Sequence, residues 1–374
     1  MIAWRNAGAA IGLASVLLLA GCGSQWGADR EEIEIANRTI TVLDNPEQAA
    51  YEVTEIDELV RLDDLRGTDW LSDEQLLVDR ENADRKPERA EGADWYPRNV
   101  YIHELSSGTE TPIDASDSNQ GYAVASPDKT KVFYKSFSLQ SNTGQGHIAN
   151  LATGESAAFT AEDAMTVDNG RWIDNDSLVY ATIQGQIFEW RTDASRAKPR
   201  LLLDSEEMFP GNLALLGDRL FYTTLKGALM IQTPTEQVQL KTKGSVIWMV
   251  PSPDEQRLAV VVRSVQSREM ELLIVDLQGS VLHAVAQDSQ LYGLAWSPDG
   301  SRLAYAAITQ SGTVRGIYVA DASTGLSVPL SLDIKFLADP LRWNPSGNRL
   351  MVTSTLPDEQ QNRNRFATYL VRVP

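Results

Sequence analysis

Two short apolar runs flank a tight turn in the stretch Trp296-Ser-Pro-Asp-Gly-Ser-Arg-Leu-Ala-Tyr305. Proline presets φ at the first central turn position, aspartate accepts hydrogen bonds from nearby turn amides, and glycine adopts the left-handed conformation. The residues Arg302 to Tyr305 after the turn have a strand-like pattern, and the tryptophan ends the run before it. The stretch therefore predicts a β-hairpin whose first strand ends on a large apolar side chain.

The same pattern recurs along the chain, about 40 to 50 residues apart, which is the length of one four-stranded propeller blade. A second strand pair with a glycine turn follows each of several copies, as in Gly316–Gly325 before Leu326–Leu330. One such unit cannot bury both of its faces, so units must stack, and radial stacking closes a ring. Seven units are expected, six if the Leu215 unit merges with a neighbour, and eight if Ile40–Leu43 starts one. The copies that keep the turn proline begin at Ala125, Pro251, Trp296 and Trp343, and the weaker relatives begin at Trp70, Trp172 and Leu215.

This repeat resembles the TolB-type, WD40-like (PD40) propeller repeat over about Glu58 to Pro374. Four copies carry proline at the turn, three of them carry Pro-Asp, and the three weaker relatives depart from the pattern because they lack the proline. The resemblance implies an all-β, seven-bladed β-propeller built from four-stranded antiparallel blades. It also implies an interaction scaffold, because TolB-like propellers mostly serve that role in the cell envelope.

The two ends of the predicted ring suggest how it closes. The last unit runs from Trp343 through Phe366–Val373 and has three strands, whereas Glu58–Asp63 is an alternating strand with no unit of its own. Pairing the two would complete the last blade and remove a free sheet edge. We therefore expect Glu58–Asp63 to latch the ring.

The first residues are typical of a bacterial lipoprotein signal peptide. An uncharged segment, Ala7–Ala20, leads into Leu19-Ala20-Gly21-Cys22, which resembles the lipobox at which a lipoprotein signal peptidase cuts before a cysteine that is then lipidated. Cys22 is the only cysteine of the chain, although a plain secretory signal that contains a cysteine is the alternative. We expect residues 1–21 to be a signal peptide, 22–50 a lipidated tether and 51–374 the propeller.

This organisation predicts a monomer outside the cytoplasm, anchored at Cys22 to the bacterial cell membrane, or to the outer membrane in a diderm organism. Acidic residues outnumber basic ones, 51 to 33, which gives a net charge of -18 and argues against a nucleic-acid partner. The single cysteine excludes an intrachain disulfide and any CxxC metal or redox motif.

The sequence contains no recognisable catalytic motif. His103, His147 and His283 are too far apart for zinc spacing, and no nucleophile elbow, P-loop or dinucleotide fingerprint is present. Acidic pairs such as those in Asp174-Asn-Asp176 are typical of solvated turns. We therefore predict no catalytic residue, no metal site and no cofactor. The motif tryptophans Trp70, Trp172, Trp296 and Trp343 are expected in the core.

Three polar insertions are the places where partner contacts are expected. The first lies within the first unit and carries Trp95-Tyr96, a candidate anchor for a partner. The others are Leu139–Gly146 and Pro357–Arg365. The favoured function is a non-enzymatic scaffold that binds a protein or a cell-envelope component. The alternatives are an envelope glycan lyase or glycosidase with carboxylates in the propeller funnel, and a small-molecule or metal sensor.

Overall fold

The computed structural model describes residues 30–35, 38–43 and 58–373, apart from 91–92, 138–142, 163, 167–168, 193–197, 206, 266–268, 331, 333 and 359–362. The chain divides into two compact units between Tyr51 and Glu52. In the first unit, β1 (Arg30–Ile35) pairs antiparallel with β2 (Arg38–Leu43), which confirms the strand that contains Ile40–Leu43 but makes it part of a separate hairpin. The lipobox residues Leu19, Ala20, Gly21 and Cys22 lie outside the described residues.

The second unit is an all-β propeller of seven four-stranded antiparallel blades, as predicted. The strand β3 (Leu59–Asp63) precedes the first blade along the chain. Blade 1 contains β4 (Arg66–Ser72), β5 (Gln75–Glu81), an inserted ribbon of β6 (Glu88–Ala90) and β7 (Ala93–Trp95), then β8 (Arg98–Glu104) and β9 (Glu110–Pro112). Blade 2 contains β10 (Asn119–Ala125), β11 (Lys131–Phe137), β12 (Thr143–Asn150) and β13 (Ser156–Ala158), with the short β14 (Met165–Thr166) also paired to β12. Blade 3 contains β15 (Arg171–Trp172), β16 (Ser177–Ala181), β17 (Gln186–Arg191) and β18 (Arg200–Asp204).

The remaining blades follow the same order, from the innermost strand outward. Blade 4 contains β19 (Gly211–Leu216), β20 (Arg219–Thr223), β21 (Leu229–Gln232) and β22 (Gln237–Gln239). Blade 5 contains β23 (Gly244–Pro251), β24 (Arg257–Ser264), β25 (Met270–Asp276) and β26 (Val281–Asp288). Blade 6 contains β27 (Gln290–Trp296), β28 (Arg302–Ile308), β29 (Val314–Asp321) and β30 (Ser327–Leu330). Blade 7 contains β31 (Arg342–Trp343), β32 (Arg349–Asp358), β33 (Arg363–Arg372) and, as its outer strand, β3.

The predicted latch is confirmed. Strand β3 pairs antiparallel with β33, with Leu59 opposite Val371 and Asp63 opposite Ala367. The last blade is therefore completed by a strand that precedes the first blade, which removes the free edge of β33.

The motif tryptophans join neighbouring blades. All four are buried, as expected, and each indole N–H donates to a backbone carbonyl on the first strand of the preceding blade. Each buried indole N–H therefore finds its hydrogen-bond acceptor on the neighbouring blade. The joints run from Trp70 to Arg342 (3.2 Å), from Trp172 to Val124 (3.0 Å), from Trp296 to Val250 (3.0 Å) and from Trp343 to Ala295 (3.0 Å).

The basic residue of the motif makes a second joint in the forward direction. The guanidinium of Arg257 lies 5.1 Å from the ring centroid of Trp296 and donates to the Gly300 carbonyl at 2.9 Å. Arg302 repeats this arrangement on Trp343, 4.7 Å away, and on the Gly347 carbonyl. The repeated motif is thus an interface element as well as a turn, because it ties blade 5 to blade 6 and blade 6 to blade 7.

Two predicted features have different outcomes. Asp174–Asp176 forms the turn between β15 and β16, with the Asp176 N–H donating to the Asp174 side chain at 2.8 Å, as expected of an acidic turn. The insertion predicted over Pro357–Arg365 is wrong in part, because β32 continues to Asp358 and Arg363–Arg365 pair with it. Charged side chains are compatible with a strand whose backbone groups find ladder partners. No helix in the described part of the chain is long and apolar enough to cross a membrane.

Candidate functional site

The propeller has two different faces. The turn face carries the tight turns between the first and second strands of each blade, and the loop face carries the connections between second and third strands and between blades. The first strands line the central channel, as in other propellers. Side chains on these strands, and at their loop-face ends, can therefore meet although they come from distant parts of the sequence.

A charged cluster lies at the loop-face end of blades 1 and 7. We call Arg66, Asp79, Arg98 and Asp339 the channel cluster. Arg66 donates to both carboxylate oxygens of Asp339, at 2.8 and 2.7 Å, and Arg98 donates to Asp79 Oδ1 at 2.5 Å and to the Asp79 carbonyl at 2.6 Å. Burial opposes the charge of Arg66, but Asp339 and Asp79 outweigh it and raise the pKa of Arg66 above its usual value. The cluster is therefore a fixed set of charges.

Aromatic rings contact the two guanidinium groups of the cluster. Arg66 lies 4.7 Å from the Tyr122 ring centroid and 5.3 Å from that of Phe366, and Arg98 lies 4.8 Å from Phe366. Tyr122 occupies a β-bulge of β10 with φ of 54°. Such bulges redirect side chains, and cation–π contacts fix the guanidinium planes. Aromatic rings from blades 2 and 7 therefore lie within cation–π distance of the two guanidinium groups of blade 1.

One oxygen of the cluster has unused hydrogen-bonding capacity. The Asp79 side chain is 1% exposed, and its Oδ2 has no hydrogen-bond partner among the described residues, with Arg66 Nη1 3.9 Å from it. A side chain at Gly121 would bring its Cβ to 3.3 Å from this oxygen. The missing side chain keeps space beside Oδ2, where a donor group could bind.

Other polar side chains interact across the channel. Burial is the main cause that raises the pKa of Tyr292 on β27. Electrostatic interactions also act on this pKa, and they come from Asp339, Arg66, Arg342 and Tyr122. Desolvation by the surrounding protein lowers the pKa of Arg171 of blade 3 to about 10, with the charge of Arg342 of blade 7 acting in the same direction and that of Glu255 of blade 5 opposing. Blades 3, 5 and 7 are not neighbours, so these interactions cross the central axis.

The predicted partner anchor lies elsewhere, on blade 1. Trp95 ends β7 and Tyr96 follows it, and both are half-buried. The inserted segment is closed by the Asn82 N–H, which donates to the Pro97 carbonyl at 2.8 Å. A surface cavity of 640 Å³ opens beside its start, lined by Arg80, Asn82, Ala83, Asp84, Arg85, Tyr101, Pro112 and Ala115. The base of the insertion is therefore tied to blade 1, and its role as an anchor stays a prediction.

The three histidines are distant from the channel cluster. His103 on β8 is buried beside Glu110, His147 on β12 stacks on Tyr134, and His283 lies on the outer strand β26. Among the described residues, no three histidine, cysteine, aspartate or glutamate side chains gather as a metal site. Sequence reasoning missed the channel cluster, because Arg66 and Asp339 are far apart in the chain and belong to no motif.

Comparisons with known proteins show the fold. No family model and no curated protein matches the sequence. An oligogalacturonate lyase solved in complex with manganese has a TM-score of 0.60 at 14% identity over 84% of this chain and 91% of that chain. An oligogalacturonate lyase from Vibrio parahaemolyticus has 0.60 at 13% identity, over 92% and 97%. TolB from Acinetobacter baumannii has 0.49 at 15% identity, over 70% and 65%. The propeller fold that the repeat implied is confirmed.

Proposed function

We propose that this protein is a lipid-anchored, extracytoplasmic binding propeller that holds a protein or cell-envelope component at the loop-face end of its channel. The observation that carries the proposal is the channel cluster, in which Arg66 and Arg98 are paired with Asp339 and Asp79 and lie against aromatic rings. Such a preorganised set offers charge, hydrogen-bonding groups and flat apolar surface to a ligand with little loss of side-chain freedom.

The same geometry favours binding over acid–base catalysis. Both oxygens of Asp339 and one oxygen of Asp79 already accept hydrogen bonds from arginine. A general acid or base must exchange a proton with the substrate through an oxygen that lies within hydrogen-bonding reach of it. Two carboxylates held beside guanidinium groups are better suited to positioning a ligand.

The test is site-specific photocrosslinking in intact cells. The photoreactive residue p-benzoylphenylalanine replaces Tyr292, which lines the channel, and in a matched control it replaces Tyr318 on the third strand of the same blade. We expect crosslinked adducts from position 292 that weaken when Arg66→Met is added, and none from position 318. Equal adduct patterns from both positions would contradict a channel site. Trp95→Ala/Tyr96→Ala tests the insertion as the alternative anchor.

The anchor is tested separately by metabolic labelling with an alkyne fatty acid. Label should be incorporated by the native chain and lost in Cys22→Ser, which should then be released from the membrane fraction. Retention of the label in Cys22→Ser would contradict lipidation at this residue. The outcome does not depend on the channel ligand.

A second candidate is an envelope enzyme that acts on acidic glycans. It is favoured by the convergence of carboxylates from blades 1 and 7 with two arginines, together with the unpartnered Asp79 Oδ2. An oligogalacturonate lyase shares the fold. Incubation with acidic oligosaccharides, with and without manganese, followed by mass spectrometry would reveal unsaturated cleavage products. Products that disappear in Asp79→Asn would replace the binding proposal with this one.

A further inference from the structure

The exposed apolar side chains of the loop face are concentrated on adjacent blades. Twelve large hydrophobic residues are exposed in the described part of the chain. Most of the others lie on outer strands, but the four on the loop face belong to connections of blades 3, 4 and 5. These are Met208, Phe209, Leu225 and Val265. Leu225 and Val265 are 71% and 83% exposed.

These connections form one surface. The Ser245 hydroxyl donates to the Lys226 carbonyl at 3.0 Å, and the Val246 N–H donates to the Gly227 carbonyl at 2.8 Å. Gly244 pairs with Ser264, which directly precedes Val265. The connection that holds Leu225, the start of β23 and the end of β24 are therefore contiguous.

The same surface is basic in an acidic protein. Lys226, Lys241, Lys243 and Arg263 are all exposed within these segments, whereas the whole chain has a net charge of -18. Among the described residues of the adjoining connections, the exposed carboxylates are Glu207 and Glu269, and Asp204 is exposed at the end of β18. Glu269 accepts a hydrogen bond from Gln287. We call Leu225, Lys226, Lys241, Lys243, Arg263 and Val265 the basic–apolar patch.

We propose that the basic–apolar patch docks the propeller on an anionic lipid bilayer. Exposed apolar side chains on loops can enter the interfacial region, while the surrounding cations meet anionic headgroups. Blades 4 and 5 lie opposite blade 1 in a seven-bladed ring, so the patch and the channel cluster occupy opposite sides of the loop face. The inference concerns orientation on the membrane and requires neither the channel ligand nor lipidation of Cys22.

The test measures which loops touch lipid. Full-length chains that carry Cys22→Ser receive one new cysteine, Leu225→Cys or Val265→Cys, and are labelled with the fluorophore NBD. Leu326→Cys is the matched control, because Leu326 is 75% exposed but lies on the turn face. On vesicles of phosphatidylglycerol and phosphatidylcholine with brominated acyl chains, we expect quenching at positions 225 and 265 and none at 326. Binding of the apolar segment 7–20 to the bilayer would not by itself make quenching at positions 225 and 265 exceed quenching at 326.

Charge reversal tests the electrostatic part. Each cation near an anionic membrane contributes about fivefold to partitioning, so Lys226→Glu/Lys243→Glu should reduce lipid contact at position 265 at least about 25-fold. Salt at ~1 M should have a similar effect, because it shortens the Debye length to about 3 Å. Both lysines are exposed, so the melting temperature should stay unchanged. Equal quenching at 225 and 326, equal quenching on pure phosphatidylcholine, or no lipid contact at 225 and 265 would each overturn the proposal.

Discussion

Replacing Leu62 with proline should open the ring at its latch. The Asp64 N–H donates to the Phe366 carbonyl, and the Arg372 N–H donates to the Glu58 carbonyl. Because bonded positions alternate along an antiparallel strand, the N–H of Leu62 also points to β33, whereas that of Arg61 points away. Leu62→Pro therefore removes a ladder bond and blocks pairing toward Leu59, but Arg61→Pro keeps the ladder, since proline is tolerated where the N–H faces outward.

The magnitude follows from what β3 contributes. Losing about three ladder bonds at about 1 kcal/mol each destabilises the latch by about 3 kcal/mol. The half-buried Leu62 packs against the cluster that contains Trp70, Met351 and Leu370, and losing that contact adds about 1 kcal/mol. A total of about 4 kcal/mol corresponds to a fall in melting temperature of roughly 10 °C for a domain of this size.

Urea unfolding followed by tryptophan fluorescence, together with a thermal melt, measures the effect. Leu62→Ala isolates the side-chain part and should cost about 1 kcal/mol. Arg61→Pro should cost less than about 1 kcal/mol, because its exposed ion pair with Asp63 contributes little. The truncations give the same comparison, since deleting residues through Leu65 should destabilise far more than deleting residues up to 57. Equal losses for the two proline variants would refute the latch as a source of stability.

Three further predictions concern the joints, the turns and the connections. Trp343→Phe should lose about 1 kcal/mol in urea unfolding, because it removes the hydrogen bond from the buried indole N–H to the Ala295 carbonyl of blade 6; an unchanged free energy of unfolding would contradict the joint. Hydrogen bonds, first from Ser297, lower the pKa of Asp299 to about 2, so its stabilising effect is complete above about pH 4 and is lost as the pH falls toward 2. Asp299→Asn should flatten stability over that acid range, and an unchanged pH profile would argue against it. Gly185→Ala should destabilise by more than about 2 kcal/mol, because φ is 105° and the new Cβ would meet backbone oxygens, whereas Gly312→Ala, with φ of 86° but open space around it, should cost less.

The sequence was sufficient for the architecture because the blade signal is local. The turn chemistry at Pro298-Asp299-Gly300 and the strand patterns beside it lie within a few residues, and the copies reinforce one another. The latch was also predictable, since a strand without a unit and a unit without a strand complement each other. The prediction for Pro357–Arg365 was wrong in part, because polarity alone does not distinguish a loop from a protruding hairpin whose backbone is paired.

The channel cluster could not be predicted, because its members meet only when the ring closes. Arg66 and Asp339 bind each other across the junction of blades 1 and 7, and Tyr122 comes from blade 2. The basic–apolar patch likewise depends on three blades lying side by side. Turn and strand rules locate the blades, but they do not show which side chains of different blades meet.

The repeated and the unrepeated positions of the blades have different roles in this protein. The repeated tryptophan and arginine positions are occupied by joints between blades, so their chemistry is committed to holding the ring and cannot distinguish one propeller from another. The position four residues before the motif tryptophan is different. It is Arg66 in blade 1, Tyr292 in blade 6 and Asp339 in blade 7, each on or beside a first strand at the loop-face end of the channel. A ring that keeps its joints constant while varying this position can change what its channel recognises without changing how it folds. Specificity should therefore reside where the repeat is least regular, which is also where sequence patterns are least informative.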